Sequence, residues 1–133
     1  MTARMSAILL AVAIAASVSG CGSGVAPGAL PSNEQNLTEL KMLLEEHQKA
    51  YKKPPAKQAD AARLEPSYPG AVRLLGRGEI VYAWGIPLAA GGSGVVAYHM
   101  DAPEKGGTVL LEDGTVKELT AAEFATAPKA GKK

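Results

Sequence analysis

Cys21 is the only cysteine in this 133-residue chain. No disulfide can therefore close a loop within it, and any fold must rest on a hydrophobic core and a complete hydrogen-bonded framework. The core has few large pieces to use. The aromatic residues are Tyr51, Tyr68, Tyr82, Tyr98, Trp84 and Phe124, and much of the 47% apolar content is alanine or lies ahead of Cys21. A small, unstapled domain of this kind needs well-capped helices and strands separated by firm turns.

The segment before Cys21 is not part of that domain. Arg4 supplies an early positive charge. Ala7 to Val18 forms an apolar run too short to span a bilayer as a stable helix. Small residues, Ser17, Ser19 and Gly20, then lead to the cysteine, as a peptidase that must hold the backbone extended requires. Val18-Ser19-Gly20-Cys21 resembles the lipobox of bacterial lipoproteins. The resemblance implies that the Cys21 thiol is acylated and the preceding bond cut. The mature chain would then be a membrane-anchored lipoprotein facing the periplasm or the outer surface. Each buried CH₂ of a lipid anchor adds about 0.8 kcal/mol, so several chains on one cysteine hold durably where a single chain does not. An acylated thiol is also unavailable as a nucleophile.

Charge narrows the partners. The chain carries 14 basic and 13 acidic residues, and loss of residues 1–20 removes only Arg4, leaving 13 of each. A neutral chain does not fit nucleic acid, which calls for a basic face, nor a polybasic membrane patch. The partners expected are the membrane, through lipid on Cys21, and a protein of the cell envelope.

The punctuation of the chain predicts an α+β fold. Residues 1–20 read as the signal peptide and 21–31, rich in Gly and Pro, as a flexible tether. Residues 32–127 read as one small domain, and 128–133 as a disordered tail. Ser32 to Lys53 reads as one long amphipathic helix. Ser32 and Gln35 suggest a capping box, Leu37, Leu40, Leu44, His47 and Tyr51 recur at spacings of three and four, and Pro54-Pro55 ends the pattern. Ala59 to Leu64 suggests a short helix. Val72, Leu74 and Leu75 suggest a short strand or irregular core segment, with Gly76-Arg77-Gly78 as a turn. Residues 79–84 and 95–100 read as strands joined through the Ala89–Gly94 loop, and Asp101 to Gly106 as a polar loop. Two further strands flank Asp113-Gly114, which predicts a type I′ hairpin. Thr120 and Glu123 suggest a second capping box, opening a short helix anchored by Phe124. The expected architecture is the long helix laid on a small antiparallel sheet.

The stretch Gly106-Gly107-Thr108-Val109-Leu110-Leu111-Glu112-Asp113-Gly114-Thr115-Val116, following a helix and a Pro-rich connection, resembles the globular part of planctomycete-type pilin-like proteins. Glu104 and Lys105 stand where that family places a histidine, and a lipobox replaces the prepilin leader. The resemblance implies a helix-plus-sheet fold and an accessory role in the envelope.

No residue set presents a catalytic pattern. His47 falls on the apolar stripe of the helix, where a histidine usually sits at the core edge with one ring nitrogen bonded. His99 and Asp101, two apart beside a strand, are the candidates for a small metal- or ligand-dependent site, but a dyad or metal centre needs further convergent groups. Glu45-Glu46-His47 lacks the second histidine of a zinc-protease helix. Gly91-Gly92-Ser93-Gly94 has no following lysine or helix of the phosphate-binding kind. Asp113 lacks the further oxygen ligands of a calcium loop. Trp84, the only tryptophan, is expected in the core. The reading is therefore non-enzymatic, with no cofactor or metal and Cys21 as the lipidation site. A site at His99 and Asp101 is the rival.

Overall fold

The computed structural model describes residues 30–132, so the leader, Cys21 and most of the tether lie outside the described residues. The described chain is α+β, with five helices and a four-stranded antiparallel sheet of order β1-β2-β3-β4.

Helix α1, Asn33–Tyr51, opens on the Ser32 capping box. Gln35 N–H donates to Ser32 Oγ at 3.2 Å, and Ser32 N–H donates to Gln35 Oε1 at 2.8 Å. Its buried face is Leu37, Leu40, Leu43, Leu44 and His47, the three-and-four spacing that puts side chains on one stripe. Lys52 then turns the chain with φ 58°, the only positive φ among non-glycine residues in the described part.

Two short helices follow, α2 at Gln58–Ala62 and α3 at Pro69–Arg77. Helix α3 corrects the sequence reading of Val72, Leu74 and Leu75 as a short strand or irregular core segment followed by a turn at Gly76-Arg77-Gly78. Ala71, Val72, Leu74 and Leu75 are its buried residues, a helical stripe in which Ala71 supplies the position that the larger residues alone leave out. Pro69 sits at the helix start, where a missing N–H costs nothing, and Gly78 ends it in the left-handed conformation. The Gly70 N–H donates to Glu39 Oε1 of α1 at 2.9 Å. A Cβ on residue 70 would lie 2.5 Å from Glu39 Oε2, so the glycine permits the approach. A carboxylate from one helix thus satisfies and polarises the start of the next.

The strands are β1, Ile80–Tyr82, β2, Val95–His99, β3, Gly107–Leu111, and β4, Val116–Leu119. Ile80 and Tyr82 are buried while Val81 between them is exposed, the alternation a two-faced sheet demands. One face, with Ile80, Tyr82, Ala97 and Leu110, joins the leucines of α1 and the apolar residues of α3. The other carries Val95 and Val109, packed with Ala102 and Phe124. Those two residues come from α4, Ala102–Lys105, and α5, Ala121–Thr126. The sheet is therefore covered on both faces. The polar loop expected at 101–106 contains α4, started by Pro103 and its neighbours and ended by Gly106.

Two further expectations are corrected. The Asp113-Gly114 turn is not type I′, because Gly114 has φ 86° while Asp113 does not have positive φ. Gly114 N–H donates to Leu111 C=O at 2.9 Å and Leu111 N–H to Thr115 C=O at 2.9 Å. This is the three-residue loop in which a turn is followed by one left-handed glycine. The Asp113 carboxylate accepts the Thr115 N–H at 2.8 Å, a side-chain bond that keeps Asp113 on the ordinary side of the map. The tail is the second correction. Its residues 128–130 lie against the sheet, with Val95 N–H donating to Pro128 C=O at 2.8 Å and Ala130 N–H to Val95 C=O at 2.9 Å. This parallel bridge occurs where β2 carries a bulge. Val95 pairs with Leu111 and Ala97 with Leu110, so Val96 is the extra residue. Val95 faces Phe124, while Val96 and Ala97 both join the α1 cluster, the break in alternation that the extra residue makes.

Gly78 and Gly106 share φ 73°, yet a Cβ meets nothing within 4 Å at Gly78 and falls 2.7 Å from Leu119 O at Gly106. Gly106 also has ψ 167°, a region essentially closed to other residues. Gly78→Ala is expected to cost about 1–2 kcal/mol, and Gly106→Ala at least about 1 kcal/mol more. Urea unfolding of the two variants checks the order.

Candidate functional site

His47 is a structural residue. It is 2% exposed, and its Nδ1 donates to the Lys53 carbonyl at 2.8 Å, since a carbonyl oxygen can only accept. The left-handed Lys52 swings that carbonyl back toward the ring. Tyr51 packs on the ring at 4.5 Å between centroids, and Arg63 lies 5.7 Å over Tyr51. The turn then delivers the Pro55 carbonyl to Gly85 N–H at 2.9 Å, linking the end of α1 to the end of β1. The expectation of a core-edge histidine with one bonded nitrogen is met.

His99 and Asp101 come near one another without forming a dyad. His99 Nδ1 lies 3.9 Å from Asp101 Oδ2 and 3.5 Å from the Asp101 amide. The two contacts ask opposite things of one atom, a proton for the carboxylate and a lone pair for the amide. Neither reaches the 2.6–3.2 Å of a working proton-transfer contact. Asp101 Oδ2 is also 3.8 Å from Lys105 Nζ, and Asp101 precedes α4 as its first flanking residue. Among the described residues no group of three or more His, Cys, Asp or Glu is placed to hold a metal ion.

The remaining sequence candidates resolve as local structure. The Gly91–Gly94 loop closes on itself through Gly92 N–H to Ala89 C=O at 3.0 Å, and it is seated on β3 by Glu112 N–H to Gly94 C=O at 2.9 Å. The Thr115 amide, together with its hydroxyl, holds the Asp113 carboxyl below its ordinary range. The Thr120 amide, aided by the Thr120 hydroxyl, does the same for Glu123 in its capping box. Trp84 corrects the expectation of burial. It is 37% exposed, resting edge-on against Tyr82 at 5.0 Å. Cys21 lies outside the described residues.

The feature that sequence reasoning did not find is a cleft of about 270 Å³ on the α5 face of the sheet. Val81, Val95 and Tyr98 form its strand wall, and Phe124 meets Tyr98 edge-to-face at 4.8 Å. The tail closes the far side with Lys129 and Lys132, and these are the charged residues of the lining. Lys129 Nζ caps α5 by donating to the Phe124 and Ala127 carbonyls, the latter at 2.7 Å, and lies 4.2 Å over the Phe124 ring. The alternation of Val81 with buried neighbours was a usable signal. The tail contribution had none, because a single bridge to a bulge leaves no periodic trace.

Among the described residues no helix is long and apolar enough to cross a membrane. No protein-family model, curated protein or solved structure matches this chain.

His47→Ala is expected to cost about 2–4 kcal/mol, from a lost buried hydrogen bond and a cavity, whereas His99→Ala should cost less than about 1 kcal/mol. Equilibrium unfolding in urea separates the two. A third check uses Tyr82, whose phenol donates to Ile86 C=O at 2.7 Å and is pushed well above the ordinary tyrosine range by burial. A raised folded value favours the neutral phenol, so its contribution is complete below about pH 10 and declines as pH rises further. The urea midpoint should fall above that pH, and Tyr82→Phe should flatten the decline.

Proposed function

We propose that this chain is a lipid-anchored envelope protein whose domain is a non-catalytic interaction or structural module, in the manner of a pilin-like accessory. The observation that carries the reading is the placement of Cys21, the only thiol, after a short apolar run and small residues. The eleven residue steps from Cys21 to the Ser32 cap reach up to about 40 Å when extended, enough to hold a domain clear of the headgroups. In this reading α1 is the long N-terminal helix of the anchored domain, laid on the sheet. The Gly106–Val116 segment then corresponds to the closing hairpin of pilin-like globular parts.

Exposed apolar side chains in the strand region support an interaction role. Val81 is 38% exposed and pairs with Tyr98 across the strands, so the two share a face, and Met100, just after β2, is 52% exposed. The contacts of His99 and Asp101 favour local structure over chemistry, which leaves the rival reading without a supporting observation.

Cys21→Ser is expected to abolish palmitate labelling of the chain, leave the precursor uncleaved and release the protein from carbonate-washed membranes. Labelled, membrane-retained Cys21→Ser protein would refute the anchor.

A further inference from the structure

We infer that the cleft between the β1–β2 face and the chain after α5 seats an anchor residue of a partner protein: a large apolar side chain flanked by an acidic group. The inference rests on the interaction reading above and gives that partner a chemistry. Three observations carry it. The walls are apolar and aromatic, with Val81, Tyr98 and Phe124 around about 270 Å³, room for one large side chain. The charge on the rim has one sign. Among the described residues Lys129 and Lys132 line the cleft, and no acidic side chain does. Lys129 is occupied by the end of α5, while Lys132 is exposed and makes no ion pair among the described residues. The cleft thus offers a cation beside an apolar socket, complementary to a carboxylate beside an apolar side chain.

Exposed apolar surface at the cleft favours a protein over a free small acid. Sites that hold small molecules by themselves enclose most of the ligand, whereas Val81 on this wall is 38% exposed. A socket for one anchor within a broader contact is the usual form of a protein interface centre. The bridge from the tail to Val95, beside the bulge at Val96, sets the lysines next to the strand wall.

The test is photo-crosslinking in intact cells with the full-length, lipid-anchored chain. p-Benzoylphenylalanine replaces Val81 in one variant. In another it replaces Met42, which is 50% exposed on α1, on the opposite side of the sheet. The expected result is a protein adduct from position 81 whose cross-linked peptide, sequenced by mass spectrometry, holds a large apolar residue next to Asp or Glu. Adding Lys132→Glu should lower its yield about fivefold, the scale of losing an exposed charge pair. An adduct at position 81 with a peptide lacking an acidic residue, with phospholipid, or with a yield indifferent to Lys132→Glu would overturn the inference. An adduct at position 42 but none at 81 would overturn it and leave the interaction reading standing. Absence of adducts at both, in protein that still carries the lipid label, would overturn both.

Discussion

The burial of one leucine stripe organises this domain. Leu37, Leu40 and Leu43 are fully buried and Leu44 nearly so, and burial of a leucine side chain is worth roughly 2 kcal/mol. With no disulfide available, these residues are the largest single contribution to a small core. Their helix cannot be laid down alone, because its stripe needs a surface, and the surface is shared. The sheet supplies Ile80, Tyr82, Ala97 and Leu110, and α3 supplies Ala71, Val72, Leu74 and Leu75. Glu39 on the same helix then reaches the start of α3 through Gly70. Helix α1 therefore both fills the core and caps its neighbour.

The opposite face of the sheet follows a different logic. Its cluster is small, with Val95, Ala102, Val109 and Phe124 fully or nearly buried, and it leaves the β1 end of the face only partly covered. Val81 remains exposed there. The chain after α5 partly compensates by bridging to Val95, on the edge that β1, ending at Tyr82 opposite Ala97, leaves unpaired. The result is a cleft rather than a flat face, apolar within and cationic at its rim. A chain with 14 basic and 13 acidic residues can in this way present a local charge preference that its near-balanced composition conceals.

The two histidines show how the same residue type divides by context. His47, on the apolar stripe, is held by a backbone carbonyl that a left-handed lysine redirects, and it fastens the end of the helix to the turn that follows it. His99 stands at a strand end where an amide and a carboxylate compete for one nitrogen at long range. The first role was legible from spacing alone. The second needed distances, because adjacency in sequence places two side chains near each other without aiming them.

Local chemistry was sufficient to determine the capping boxes at Ser32 and Thr120, the helical stripe of α1, the strands and the hairpin around Asp113-Gly114. Each depends on residues within a few positions of one another, so the sequence contains the whole interaction. The α+β class follows from that order of elements. Tertiary structure decided the rest. Segment 69–77 became a helix because its small residue, Ala71, completes a stripe against α1 and because Glu39 satisfies its first turn. The turn at Gly114 took one more residue than the Asp-Gly pair suggested, since Asp113 bonds forward to Thr115. Trp84 was left outside because Tyr82 filled the core below it. The tail joined the sheet through Val95, past the end of β1, and with it came the cleft. In each case the deciding partner lies outside the local window or makes a bond the residue pattern does not specify, and only the folded chain brings it into place.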